Sequence, residues 1–215
     1  FNVERSLNVV DDMLAEARKL GASAAEAGVS VEAGLSVNVR LGEVDTLEHN
    51  RDKGLGITVY MGKRKGSAST SDFSARAIRE TVQAACDIAR YTEEDECAGL
   101  ADAELMAYDY QDLDLDHPWA IDAESAVEMA RQTEAFALEL DPRISNSDGA
   151  SVNAFRGASV YGNSHGFVGG YSATRHSMSC SVIGEDEGLM QRDYWYTVSR
   201  DPEKLESSEL VGKKA

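Results

Sequence analysis

Gly162-Asn163-Ser164-His165-Gly166 spells G-x-S-x-G, the pattern of a serine nucleophile set on a tight turn. Such a turn needs a strand before the serine and a helix straight after it, so that the hydroxyl stands at a helix N-terminus. Here the chain runs on as FVGGYSATRHS, with two glycines and no helical period. The hydrolase order would also demand an acid and then a histidine downstream. His176, the one histidine beyond the motif, precedes every later acid. The segment therefore predicts a hairpin turn, with Asn163 and Gly166 supplying unusual backbone angles.

Asp112, Asp114 and Asp116 open like a calcium loop. The sixth position should be glycine and is His117, and the twelfth should be glutamate and is Ala123. An acidic, solvated surface is the reading that remains. His49, His117, His165 and His176 fall in no H-E-x-x-H or C-x-x-C frame, so each reads as a turn or surface residue. Lys63, Arg64 and Lys65 form a compact basic cluster that reads as a solvated turn. Gly54-Leu55-Gly56 lacks the third glycine and the following helix of a dinucleotide loop. From chemistry alone, no catalytic residue, metal ligand or cofactor site is predicted within this chain.

The charge balance narrows the partners. The 215 residues carry a net charge of −17, which repels phosphate and argues against nucleic acid and anionic membranes. No apolar run approaches the length that spans a bilayer. Cys86, Cys97 and Cys180 are odd in number and widely spaced, which fits a reducing compartment. No basic region leads into an apolar one at the start, so a cytoplasmic location is expected. Both ends look cut: the first residue is Phe1, and SSELVGKKA opens like a helix capped by Ser207 or Ser208, then stops.

Three amphipathic helices must position whatever site exists. Leu7, Val10, Leu14 and Ala17 recur at helical spacing over Leu7 to Leu20, and Gly21 stops the run. Ser74 caps a second helix over Ala75 to Arg90, with Ile78, Val82, Ala85 and Ala89 on one face and Cys86 beside them as a buried thiol. A third runs from Ala123 to Leu140, its stripe formed by Ala126, Ala130, Thr133, Ala137 and Leu140, and Pro142 ends it.

Elsewhere the period is two. Leu35, Val37, Val39 and Leu41 alternate with polar residues between Gly34 and Gly42. Ile57, Val59 and Met61 repeat the pattern before a basic turn from Gly62 to Gly66, and Met178, Cys180 and Val182 repeat it again. DYWYTV has strand composition. Short glycine-bearing turns predict antiparallel meanders. The expected fold is α+β, antiparallel meander sheets packed against about three amphipathic helices. The expected division is a helix–strands–helix unit over 1–91, an acidic connection over 92–121, a helix-plus-strands unit over 122–206, and the start of a helix over 207–215. The halves share an order of elements but no residue-level repeat.

Four segments go beyond pattern: GLGITVYMGKRKGSASTSDFS (Gly54 to Ser74), ISNSDGASV (Ile144 to Val152), VYGNSHGFVGGY (Val160 to Tyr171) and MQRDYWYTVSRD (Met190 to Asp201). Together they resemble the TldD/PmbA family of bacterial metallopeptidases, in its PmbA-like branch, and the resemblance extends over essentially the whole chain. It implies an N-terminal α+β region followed by a C-terminal region. TldD-like members carry H-E-x-x-x-H there, with two histidines for zinc and a glutamate as general base. PmbA-like members lack that motif and look like zinc-free partners in a heteromeric peptidase for small or unfolded polypeptides. The family is also linked with maturation of a peptide antibiotic that attacks DNA gyrase, and with turnover of an antitoxin.

No H-E-x-x-x-H occurs here, so no family catalytic or metal residue is carried over. The resemblance implies zinc on a TldD-like partner, none in this chain, and a hetero- or homo-oligomer acting on peptides. It also makes the glycine-rich turns candidates for chamber lining or subunit contact: Gly54, Gly56, Arg64, Asn163, His165 and Gly166. Acidic charge such as Glu93 to Glu96 would then favour basic peptides. Two alternatives stand beside this reading. One is a self-sufficient metallopeptidase with its zinc motif beyond residue 215, and the other is a non-enzymatic regulator that binds gyrase or a toxin–antitoxin partner.

Overall fold

The computed structural model describes residues 3–215. Helix α1 (Val3–Lys19) leads into β1 (Ala24–Arg40), β2 (Glu43–Met61) and β3 (Arg64–Thr70), followed by α2 (Ala75–Tyr91). A long connection holding one 3-10 turn (Ala103–Leu105) leads to α3 (Ala123–Leu138). The order then repeats with β4 (Ile144–Asn163), β5 (Val168–Asp186) and β6 (Leu189–Ser199), before a 3-10 turn (Pro202–Lys204) and α4 (Ser208–Lys214). The strands hydrogen-bond in the order β3-β2-β1-β4-β5-β6. The two pairs β2/β3 and β5/β6 are antiparallel, with Val59 opposite Gly66 and Cys180 opposite Trp195. The α+β class expected from the alternating periods is the fold observed.

The chain folds as two compact units that share the long strands. The first takes the residues up to Val31, then Asp52–Leu113 and Gly157–Ser172. Ala25, Ala27, Val29, Leu55, Ile57, Val59 and Val160 make one face of its sheet apolar. Onto that face pack Val10, Met13 and Ala17 of α1, and Ile78, Val82, Ala85, Cys86 and Ala89 of α2. Burying each Val, Ile or Met contributes roughly 1.5–3 kcal/mol. Gly21, at φ +92°, closes α1, its N–H donating to Arg18 O while Ala22 N–H reaches Ala17 O. Ser74 Oγ accepts from Ala77 N at the start of α2. Gly66 lets α2 lie against β3, since a Cβ there would collide with the Ala85 carbonyl and sit 2.5 Å from Ala89 N.

The second unit comprises Glu32–Arg51, Asp114–Arg156 and Ala173–Ala215. Leu35, Val37, Val39, Ala150, Val152, Met178, Cys180 and Val182 face Ala126, Ala130 and Ala137 of α3 and Val211 of α4. Asp122 caps α3 through Ser125 N, and Ser207 caps α4 through Leu210 N. Glu134 on α3 is 1% exposed, and its carboxylate accepts from Leu41 N and Gly42 N, both at 2.8 Å. That carboxylate holds the β1–β2 turn, where Leu41 (φ 51°) and Gly42 (φ 79°) adopt the left-handed pair that a two-residue hairpin requires.

Several local expectations are corrected. Leu41 is 54% exposed, because it is the first turn residue and not the last inward residue of its strand. Leu140 is likewise turned to solvent, because α3 ends at Leu138 and the chain leaves it there. Gly34 does not bound a strand: β1 passes through it, and the Phe155 ring fills the place of its missing side chain. The basic turn is shorter than expected, Gly62-Lys63, with Arg64 already in β3.

Candidate functional site

The G-x-S-x-G segment is the β4–β5 hairpin, with strand on both sides and no helix after the serine. Ser164 is tied to β1, its Oγ accepting from Ala25 N (3.0 Å) and its N–H donating to Ala25 O (2.8 Å). That pairing makes it a strand-end clasp. Gly166 takes the positive φ (84°) expected of it, but Asn163 does not. Asn163 is instead 2% exposed, its Oδ1 accepting from His165 N and its Nδ2 donating to Met106 Sδ. The amide thus organises the turn by its side chain and not by its backbone.

The connection after α2 lies along this hairpin. Tyr108 Oη donates to His165 O, His165 Nε2 bonds Ala101 O (3.1 Å), and the Tyr108, Tyr110 and Tyr161 rings surround Phe167 at centroid distances of 5.8, 6.4 and 6.0 Å. Arg64 sits apart from it at the start of β3, donating to Arg90 O and pairing with Glu94 (3.4 Å). The six residues singled out from the sequence therefore fall in three places: Gly54 and Gly56 on the face of β2, Arg64 beside the end of α2, and Asn163, His165 and Gly166 at the β4–β5 turn.

Gly54 and Gly56 lie on the face of β2 turned away from the helices, since Leu55, Ile57 and Val59 between and beside them point into the core. Gly28, Gly54 and Gly56 lie in strand interiors, where glycine weakens a strand unless something approaches closely. Their own surroundings do not require it. A Cβ at Gly28 would come no nearer than 3.6 Å to Val160 O, at Gly56 no nearer than 3.7 Å to Ala68 O, and at Gly54 no nearer than 3.9 Å to Ser30 Oγ. None of the three has a positive φ. With Thr58, Ser67 and Ser69, Gly28 and Gly56 line a shallow recess of about 350 Å3, and a neighbouring depression of about 600 Å3 continues along Ser30, Gly54 and Ser71.

Glu26 and Tyr161 also line the recess. Tyr60 Oη donates to Glu26 Oε1 at 2.9 Å and Tyr161 Oη donates to Oε2 at 2.8 Å. Burial, and then the bond to Glu26, push the Tyr60 phenol up to about 12, and burial raises Tyr161 as well. Both hydroxyls stay protonated at neutral pH and fix the carboxylate in place. Sequence reasoning missed Glu26, Tyr60 and Tyr161. The signal was present in AAEAGVS, where Ala25, Ala27 and Val29 alternate with Glu26, Gly28 and Ser30, placing Glu26 on the face opposite the core.

Among the described residues no three His, Cys, Asp or Glu side chains converge. His117 Nε2 bonds Asp114 O, His165 Nε2 bonds Ala101 O, and His176 Nε2 bonds His117 O, so three imidazoles are committed separately to backbone carbonyls. Asp116 of the acidic run is held bidentately by Arg156, Nε to Oδ1 at 2.8 Å and Nη2 to Oδ2 at 2.6 Å. Among the described residues no helix is long and apolar enough to cross a membrane.

Comparison with known proteins agrees with this architecture. Residues 25–89 match the family model described as PmbA/TldA metallopeptidase domain 1, and residues 116–215 match the PmbA/TldA metallopeptidase central domain. The chain is 48% identical over 213 residues to the Metalloprotease PmbA of Escherichia coli O157:H7, covering 98% of this chain and 47% of that protein. It is 52% identical over 197 residues to a Metalloprotease PmbA homolog of Haemophilus influenzae, covering 92% of this chain and 44% of the relative. The chain thus spans about half the length of the curated relatives it matches. Among solved structures, a candidate modulator of DNA gyrase from Bacteroides thetaiotaomicron superposes with a TM-score of 0.87 at 25% identity, over 97% of this chain and 48% of that one. The TldE of Thermococcus kodakarensis shares the fold, with a TM-score of 0.75 at 15% identity over 96% of this chain and 46% of that one. The chain belongs to the PmbA/TldD metallopeptidase family and corresponds to the N-terminal region of its PmbA-like members.

Proposed function

We propose that this chain is the non-catalytic N-terminal region of a PmbA-like subunit in a zinc-dependent TldD–PmbA peptidase of the cytoplasm, which degrades or matures small or unfolded peptides. Zinc and the general base belong to the TldD-like partner, and this chain contributes a surface for the peptide. The observation that carries the reading is the glycine floor of the β1–β2–β3 face, in a family whose relatives are named metalloproteases. β1 and β2 are interior strands, and β2 is paired with β3 over Leu55–Met61, so the backbone groups of that stretch are already engaged. A peptide is therefore received across the face, where the missing side chains of Gly28, Gly54 and Gly56 admit its backbone and the hydroxyls of Thr58, Ser67 and Ser69 offer hydrogen bonds. A regulator binding gyrase directly is the second reading, favoured by the description of the Bacteroides structure.

Cleavage of a small unstructured peptide by the full-length protein, alone and mixed with its TldD-like partner, tests the proposal. Activity is expected in the mixture alone and disappears with a chelator. Activity of the lone full-length protein would overturn the assignment. Inactivity of the mixture, with tight binding of gyrase, would favour the regulator.

A further inference from the structure

We propose that Glu26 forms a subsite for a lysine or arginine side chain of an extended peptide lying on the glycine-floored face, an inference that rests on the peptide reading above. Glu26 follows Ala25 and precedes Ala27, both buried in the core of the first unit, so the strand's alternation delivers its carboxylate to the opposite face. There it bears the single formal charge among the residues lining the recess. The carboxylate offers about four acceptor directions. Tyr60 and Tyr161 occupy one on each oxygen. No Lys or Arg among the described residues pairs with it, whereas Asp116 is held by Arg156 and Glu80 by Arg76.

The two phenols do more than satisfy the oxygens. They lock the carboxylate in one orientation, so a cation meets a preorganised acceptor and little side-chain freedom is lost on binding. Tyr161 is 40% exposed and lines the recess, so its ring offers a face for the aliphatic stem or the charged head of the incoming side chain. The recess of about 350 Å3 falls at the lower end of the range for small-ligand clefts, roughly 300–1,000 Å3. That size suits one side chain and not a folded partner. Charge complementarity selects the occupant, because a net −17 chain repels an acidic peptide while the lone charge in the recess attracts a basic one. The acidic run Glu93 to Glu96 does not line this recess, and Glu94 is already paired with Arg64.

The test compares two fluorescent unstructured peptides that differ at one position, lysine in one and norleucine in the other. Binding to the full-length protein is measured by anisotropy at low salt, and cleavage is followed in the mixture with its TldD-like partner. The wild type is expected to favour the lysine peptide by about fivefold, the equivalent of about 1 kcal/mol for a partly exposed ion pair. Glu26→Gln keeps an oxygen for a phenol and brings the ratio of lysine to norleucine peptide binding down to about one. Gly56→Val fills the floor and weakens both peptides. Thermal melts of both variants matching the wild type assign these losses to the recess. A lysine preference that survives Glu26→Gln, or no preference in a wild type that handles both peptides, overturns the subsite and leaves the peptide reading intact. Failure of the wild type to bind or cleave either peptide overturns the peptide reading, and the subsite with it.

Discussion

Tyr60 shows how a single buried side chain fixes a charge on the face opposite the helices. Its ring is buried, its hydroxyl reaches Glu26, and its pKa stands at about 12 against an ordinary value of 10.0. A phenol whose pKa is higher in the folded chain than in the unfolded one stabilises fully below the unfolded value. That contribution is lost as pH rises through 10 towards about 12. Tyr60→Phe removes the hydrogen bond at a cost of about 1 kcal/mol at neutral pH. The gap in stability between wild type and variant, followed by urea unfolding, is therefore expected to narrow above about pH 10. A gap that stays constant to pH 12 would contradict the bond. None of this was legible in a linear reading, because Glu26 and Tyr60 are 34 residues apart and meet only through strand pairing.

At the scale of elements, the helices were the most legible part. Ser74 and Gly21 mark the helix boundaries where the sequence places them, because capping and glycine chemistry are local. Strand lengths were less legible. β1 runs for 17 residues and β4 for 20, whereas the alternation of apolar residues is clean over a few residues at a time. Glycines inside these strands read as boundaries, yet their roles depend on what packs beside them. Gly66 and Gly56 make the contrast measurable. Gly66→Ala drives a methyl into the backbone of α2, and overpacking of this kind costs about 1–3 kcal/mol, which lowers the Tm by several degrees. Gly56→Ala meets only ordinary contacts at 3.7 Å, and the reduced freedom of the unfolded chain leaves it neutral or more stable by up to about 1 kcal/mol. Calorimetry of the two variants distinguishes a glycine that packing requires from one that leaves the face open. Equal melting temperatures would remove the distinction.

Over the whole molecule, the thiols report on both cores at once. Cys86 lies in the first and Cys180 in the second, and burial raises both, Cys180 to about 12, while Cys97 is exposed. A thiol reagent is expected to modify one cysteine of the native chain, Cys97, and all three in denaturant, as read by mass spectrometry. Rapid native modification of Cys86 or Cys180 would show that its core opens. By itself, the sequence determined the α+β class, the amphipathic helices with the boundaries at Gly21 and Ser74, and the family, because these rest on local periodicity and on long matching segments. It also supplied Gly54 and Gly56 as candidates. Only the tertiary structure decided that they share a face with Gly28, that Ser164 is a clasp, and that Glu26 is held by two tyrosines. The reason is physical: a recess is made by strands distant in sequence lying side by side, and no local pattern encodes which residues will become neighbours across them.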